Sequence, residues 1–238
     1  MSKQFKIDIY ADGADFNEMR QVFQYGFVDG FTTNPSLMKK AGVNNYLSFA
    51  QKVVAEFPAV PISFEVFSND FLNMEKEAKI ISALGENVFV KIPILTINNQ
   101  STKPLIAQLS RQGIAINVTA VTTIEQVQAA ISAFAKGSSN IISIFVGRLA
   151  DTGINPKNFV KKSAQLCQKY PEAKLLWAST REVQNVYEAA ANNVDIITVP
   201  PNVLSKLRQV GKTAEQVSLD TVQGFAADIK QLGFSILD

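Results

Sequence analysis

No histidine occurs anywhere in the 238 residues. That excludes a Ser-His-Asp triad, a histidine general base and any zinc site that uses imidazole. Acid–base chemistry must then come from carboxylates, lysine, tyrosine or water. The one cysteine, Cys167, cannot form an internal disulfide and reads as a packed residue of a helix over 155–170. Basic residues form no run longer than the pairs Lys39-Lys40 and Lys161-Lys162, and the formal net charge is only +2. Neither nucleic acid nor an anionic membrane surface is implied as a partner. No apolar run reaches transmembrane length, and the opening Met-Ser-Lys-Gln-Phe-Lys lacks the apolar core of a signal peptide. The expectation is a soluble, cytoplasmic protein.

What is present is a regular alternation. Hydrophobic residues make up 47% of the chain, enough for a sizeable core. Strand-like runs lie near residues 5–11, 26–32, 60–66, 87–93, 114–119, 141–146, 174–179 and 195–199. Helical spacing fills the gaps. Ile124, Val127, Ile131 and Phe134 step by three and four, as do Phe71, Met74, Ala78 and Ile81, and Val183, Val186, Tyr187 and Ala190 fit one face. Gly113, Gly153, Pro156 and Pro171 fall between elements. Strands alternating with helices pair in parallel, and eight units predict a closed (β/α)8 TIM barrel, an α/β fold. The chain reads as a single domain over residues 1–238, with an extra C-terminal helix at about 213–232 that could pack on a neighbouring subunit. An open doubly wound sheet is the alternative. It lacks its glycine-rich phosphate fingerprint, since Ala11-Asp12-Gly13-Ala14 follows the first strand.

One residue breaks the pattern. In Asn87-Val88-Phe89-Val90-Lys91-Ile92-Pro93, Lys91 sits at the centre of an apolar, β-branched strand. An unpaired ammonium there is costly, and burial disfavours the charged form. A neutral lysine amine forms Schiff bases with carbonyls. Strand phases place polar residues opposite the apolar faces: Asp8, Tyr10 and Asp12 in the first strand, Ser63 and Glu65 in the third, and Phe89 and Lys91 in the fourth. Asn117 and Thr119 follow in the fifth, and Ser143 and Phe145 in the sixth. The apolar faces should meet the helices and the others the barrel axis. Several of these residues fall near the C-terminal strand ends, where barrel enzymes place their chemistry.

Each candidate has a plainer reading. Lys91 and Glu65 form a structural ion pair or a catalytic one, and the two are compatible. Asp12 is a turn residue before Gly13, or with Glu65 and Thr119 it holds a water for proton transfer. Thr32, Asn34, Asn117 and Ser143 suit substrate hydroxyls, though each alone is more often structural. Pro35 restricts Asn34 to extended backbone and marks a helix start. Ser179-Thr180-Arg181 opens a helix after the seventh strand. It is equally a phosphate site or a capping box with Glu182. Arg148 is a second anion candidate or a surface salt-bridge partner.

These segments resemble the transaldolase family over nearly the whole chain, in its short-chain transaldolase/fructose-6-phosphate aldolase subfamily. The motifs Thr32-Thr33-Asn34-Pro35-Ser36, Val90-Lys91-Ile92-Pro93, Asn117-Val118-Thr119, Phe145-Val146-Gly147-Arg148 and Ala178-Ser179-Thr180-Arg181 stand in the family's order and spacing. The resemblance implies a barrel that moves a dihydroxyacetone unit from a ketose phosphate to an aldose phosphate, as in the pentose phosphate pathway, with no metal and no organic cofactor. It implies Lys91 as the Schiff-base lysine, with Asp12, Glu65 and Thr119 for proton transfer. Thr32, Asn34, Ser63, Asn117, Ser143 and Phe145 are implied as substrate contacts, and Arg148, Ser179 and Arg181 as the phosphate site. Glu65 and Phe145 stand where the aldolases usually carry glutamine and tyrosine, which is similar to the transferases. Ile144, Thr180 and Leu95 depart from the usual proline, aromatic and threonine. Free dihydroxyacetone release, a sulfonated sugar as substrate, and a non-catalytic phosphosugar-binding barrel are the alternatives. The partners implied are small-molecule sugar phosphates and copies of the same chain in a homo-oligomer.

Overall fold

The computed structural model describes residues 5–207, 210–234 and 236–237. Met1–Gln4, part of the stretch read above for a signal peptide, lie outside the described residues. Eight parallel strands close into a barrel in sequence order. They are β1 (Asp8–Asp12), β2 (Gly30–Thr32), β3 (Ile62–Glu65), β4 (Val88–Pro93), β5 (Ile116–Val121), β6 (Asn140–Phe145), β7 (Ala173–Ala178) and β8 (Ile196–Val199). Helices α1 (Phe16–Phe23), α2 (Pro35–Lys40), α3 (Tyr46–Glu56), α4 (Phe71–Ser82), α5 (Lys103–Arg111) and α6 (Ile124–Ala133) alternate with the first strands. Then come α7 (Val146–Ala150), α8 (Lys157–Cys167), α9 (Gln184–Ala191), α10 (Pro201–Leu207) and α11 (Ala214–Leu232).

The alternation works as the strand phases predict. Ile62, Phe64, Val90, Ile92, Ile116, Val118, Ile142 and Ile144 are all fully buried. Their side chains leave the barrel on the side opposite Glu65, Lys91, Asn117 and Ser143, because successive strand residues point to opposite faces. Buried stripes on the helices meet them: Met74, Ala78 and Ile81 on α4, and Val127, Ala130 and Ile131 on α6. On α9 the buried pair is Val186 and Ala189, while Tyr187 of the expected face is exposed. Cys167 is buried at the end of α8, where burial pushes its thiol up to about 12.

The barrel interior is layered. Tyr10, Ile141, Leu176, Ala178 and Ile196 form an apolar cluster, with Phe89 and Phe145 packed against it. One pleat further toward the C-terminal strand ends, Phe89 gives way to Lys91, Ile141 to Ser143 and Ile196 to Thr198. The polar layer therefore rests on an apolar plug.

Two strands differ from expectation. β2 has only three residues, so Asn34 lies beyond its end, with extended backbone (φ −157°, ψ 163°) as the caps on α2 require. β5 runs on to Val121 through a register shift against β6, with Ala120 at φ 60°. A bulge of this kind re-aims neighbouring side chains; here that includes Thr119.

The chain divides into two compact units, Met1–Leu204 and Ser205–Asp238. All eight strands belong to the first. In the second, α11 covers the expected 213–232 helix. Its capping box pairs Thr213 with Gln216, and Gly233 at φ 70° ends it in the left-handed region that glycine tolerates. No residue of α11 is buried.

Candidate active site

Strand register brings the central groups level. Glu65 pairs with Lys91 across β3 and β4, and Lys91 with Asn117 across β4 and β5. The Lys91 side chain is buried, with 5% of the residue exposed, and its ammonium is answered twice. It donates to the Thr33 carbonyl at 2.6 Å and lies 3.2 Å from Glu65 Oε2. Two acceptors hold Nζ in one place, and a buried charge with charge-assisted bonds avoids the cost of an unpaired one. Thr33 is itself fixed, since its hydroxyl donates to the Ser63 carbonyl at 3.0 Å.

Glu65 is aimed from behind. The half-buried Tyr46 donates from its hydroxyl to the Glu65 backbone carbonyl at 2.8 Å. Burial, then the Glu65 and Glu77 charges, raise the Tyr46 phenol above its ordinary value, so it stays a donor. Glu77 caps the turn after β3 by accepting from the Phe67 and Ser68 backbone N–H groups.

A cavity of about 180 Å³ opens at the C-terminal strand ends. Asp12, Lys91, Thr119 and Thr198 line its inner part, with Thr32, Asn34 and Ser143 beside them. The Thr119 hydroxyl is buried and has no hydrogen-bond partner among the described residues. An unanswered buried hydroxyl is costly unless a bound molecule meets it. Asp12 Oδ1 accepts from the Thr32 hydroxyl at 2.8 Å. Burial pushes the Asp12 carboxyl above its ordinary value, against the pull of Lys91 and of the Thr32 hydrogen bond, while Glu65 adds to the rise.

Ser63 and Asn117, expected as substrate contacts, are fully buried and do not line this cavity. Asn117 donates to Ser63 Oγ at 3.0 Å and accepts from Ser143 Oγ at 2.7 Å. The chain of three fixes Ser143, which does reach the cavity. Asn34 spends its side-chain oxygen capping the Leu37 N–H at 2.9 Å. Its amide nitrogen, a donor only, is what it can offer a ligand.

The opposite end is cationic. Arg148 on α7 and Arg181 after β7 line the same cavity, with Ser179, the first residue after β7. The Arg148 guanidinium carbon lies 5.1 Å from the centre of the Phe145 ring, within cation–π range. Arg181 forms a forked ion pair with Asp151 at the end of α7, with Nε donating to Oδ1 at 3.3 Å and a second nitrogen to Oδ2. That bond holds the Asp151 carboxyl below its ordinary value.

The expected capping box at Ser179 and Glu182 does not form. The helix begins five residues later, at Gln184, and Ser179 stands at φ 67°. The Asn185 side chain caps instead, accepting from the Arg181 N–H at 3.0 Å and the Glu182 N–H at 3.2 Å. A close contact between the ends of the adjacent strands β6 and β7 accompanies this geometry. A Cβ on Gly147 would stand 1.8 Å from the Ser179 carbonyl oxygen, so only glycine admits that approach.

Thr33, Tyr46, Asp151 and Thr198 were not picked out by sequence reasoning. Thr198 alone left a readable sign, as the one polar residue in Ile196-Ile197-Thr198-Val199. The others act through a backbone carbonyl or across loops.

Fold and site define a TIM barrel with a buried lysine, two carboxylates and an arginine pair gathered at its C-terminal mouth, the end where such barrels place their active sites. The chain belongs to the transaldolase/fructose-6-phosphate aldolase family, whose model matches residues 9–236. It is 35% identical over 203 residues to a protein of Nitrosopumilus maritimus named a probable transaldolase, covering 84% of this chain and 87% of that one. A protein of the same name from Bartonella henselae is 32% identical over 228 residues, covering 95% and 98%. Among solved structures, KGPDC from Streptococcus mutans superposes with a TM-score of 0.54 at 11% identity, covering 87% of this chain and all of that one. Thiamine phosphate pyrophosphorylase from Pyrococcus furiosus gives 0.54 at 10% identity, covering 86% and 95%. At such identities these two likenesses concern the barrel fold alone.

Proposed function

We propose that the protein is a class I transaldolase that carries a dihydroxyacetone unit on Lys91 from a ketose phosphate, such as fructose 6-phosphate or sedoheptulose 7-phosphate, to an aldose phosphate. The observation that carries this reading is the Lys91 amine. It lines the cavity that opens at the C-terminal strand ends, together with Asp12 and the unanswered Thr119 hydroxyl, and lies 3.2 Å from Glu65 Oε2.

The chemistry follows from these positions. The Lys91 ammonium gives one proton to Glu65 and attacks the ketose carbonyl as the neutral amine; a second proton passes from the nitrogen to the carbonyl oxygen, and the Glu65 proton returns to that oxygen as it leaves. Loss of water gives the protonated imine, and Thr119 with Glu65 holds that water for the return step. Asp12 takes the proton from the hydroxyl two carbons from the imine carbon. The intervening carbon–carbon bond breaks, its electron pair neutralises the imine as an enamine, and the aldose leaves. The enamine then attacks a second aldose, and Asp12 returns its proton to the new hydroxyl. Imine hydrolysis frees the enlarged ketose. Arg148 and Arg181 hold the phosphate of the departing or arriving aldose by charge-assisted bonds. Ser143, and Asn34 through its amide, address the triose hydroxyls. Ser63 and Asn117 act one step back, by holding Ser143. The reaction belongs to pentose phosphate carbohydrate metabolism in the cytoplasm and needs no resident metal or organic cofactor.

Waiting for an aldose rather than releasing dihydroxyacetone rests on Glu65 beside Lys91 and on Phe145. The phenylalanine carries no hydroxyl to protonate the enamine and is packed against the apolar plug. The test is product analysis with fructose 6-phosphate, with and without erythrose 4-phosphate. Ketose turnover that depends on the acceptor is expected. Dihydroxyacetone released at the same rate without acceptor would make the protein an aldolase. Tight sugar-phosphate binding with no turnover would make it a binding barrel.

A further inference from the structure

Thr198 on β8 belongs to no motif described above, yet it completes a chain of hydroxyls. Its Oγ1 lies 2.5 Å from Thr32 Oγ1, and Thr32 donates to Asp12 Oδ1 at 2.8 Å. A hydroxyl has one proton to give. Thr32 gives its proton to the carboxylate, so the short contact with Thr198 is a bond in which Thr32 accepts and Thr198 donates. Proton direction along the chain is thereby fixed as Thr198 to Thr32 to Asp12. Thr198 and Thr32 are both buried, and Thr198 lines the cavity. Its backbone is pinned as well. Its carbonyl accepts from the Thr180 hydroxyl at 2.7 Å, and it sits in register with Tyr10 of β1.

We propose that Thr198 is a positioning residue for the reaction, acting through Thr32 to aim the Asp12 carboxylate and hold it as a base. With its proton committed to Thr32, Thr198 turns only lone pairs toward the cavity. It therefore accepts from a substrate hydroxyl and offers no donor to a carbonyl or phosphate oxygen. Polarisation along the chain strengthens the Thr32–Asp12 bond, because a hydroxyl that accepts a hydrogen bond becomes a better donor.

The charges that face Asp12 set the context. Lys91 from β4 favours its ionised form and Glu65 from β3 opposes it. Arg148 and Arg181 line the same cavity, and Asp15, Glu18 and Lys40 line the cleft on its other side. Thr32 from β2 is the hydrogen-bonding neighbour, with Thr198 from β8 behind it.

The inference rests on the transaldolase reading for its function, so its test includes a readout that needs no substrate. The carboxyl infrared band of Asp12, assigned by its loss in D12N, is titrated in the full-length T198V, T198A and T198S proteins. The Asp12 midpoint is expected to rise by roughly half a unit to one unit in T198V and T198A and to return in T198S. On a T32V background, T198V should move it no further. In turnover, T198V should lower kcat with little change in KM and shift the acid limb of the pH–rate profile by the same interval. A midpoint unmoved in both T198V and T198A overturns the relay, as does a shift that persists on the T32V background. Should T198V fail to fold, T198A carries the test. Absence of an imine at Lys91 would instead count against the reaction and leave the infrared result standing.

Discussion

The two ends of the cavity are built on different principles. The lysine end is made of strand residues, locked by register and buried, and most of its polar atoms are answered by a neighbour. The arginine end is made of loop and helix-terminal residues. Arg181 and Asp151 have side chains 49% and 54% exposed, and their ion pair is open to water. At the first end a misplaced atom cannot relax, because neighbouring backbones hold it. At the second, side chains rotate and salt screens their charges. On the proposed reaction, the chemistry that tolerates little displacement would use the rigid end and phosphate recognition the soft one.

If this contrast is right, the largest effects lie at the lysine end. K91M should lower turnover by at least about a thousandfold, since among the described residues no other lysine lines the cavity to form an imine and covalent catalysis is lost entirely. D12N should cost about a hundredfold or more in kcat, as loss of a general base does. It should also separate activity from stability. Folded Asp12 holds its proton more tightly than the unfolded chain does. Stability contributed by this group is therefore lost as pH rises from the unfolded value through the folded one. D12N escapes that loss, and by calorimetry it should melt a few degrees higher than the parent at neutral pH. Below about pH 3, where Asp12 is protonated in both the folded and the unfolded parent, the difference should vanish.

Next in size is G147A, at the arginine end, where the segments after β6 and β7 meet. The added methyl meets the Ser179 carbonyl, a backbone atom with no freedom to move aside. A loss of about 2–4 kcal/mol in denaturant unfolding is expected, along with a raised KM for phosphorylated donors. A smaller effect is expected of R181K. It keeps the charge and loses the fork, so KM should rise about tenfold with kcat nearly unchanged. Added salt should raise KM in the parent and leave kcat at saturation nearly constant. The smallest effect is at Cys167, which should resist alkylation in the folded protein at neutral pH because its thiol is buried and its pKa raised.

The same contrast explains what could be read from the sequence. Strand phase is local: alternation in residues 87–93 and 114–119 was enough to place Lys91 on one face with Asn117 and Thr119. The barrel followed from counting strand–helix units. Lys91's bond to the Thr33 carbonyl was not legible, because a backbone oxygen leaves no mark in the residue type. Nor was the retreat of α9 to Gln184. Ser179 and Glu182 have the spacing of a capping box, but the left-handed turn at Ser179 and the close approach of Gly147 override it. The hidden position of Ser63 and Asn117 was likewise illegible, since inward direction does not say how far a short side chain reaches. Thr198 could have been found by extending the phase argument to the eighth strand.

The central claim is that the substrate carbonyl joins the Lys91 amine. The direct test is borohydride reduction of the protein mixed with fructose 6-phosphate, followed by peptide mass mapping. A dihydroxyacetone-derived mass on the peptide carrying Lys91, absent in K91M, is the result predicted. An unmodified Lys91 under conditions of turnover, or the same mass on another lysine, would contradict it.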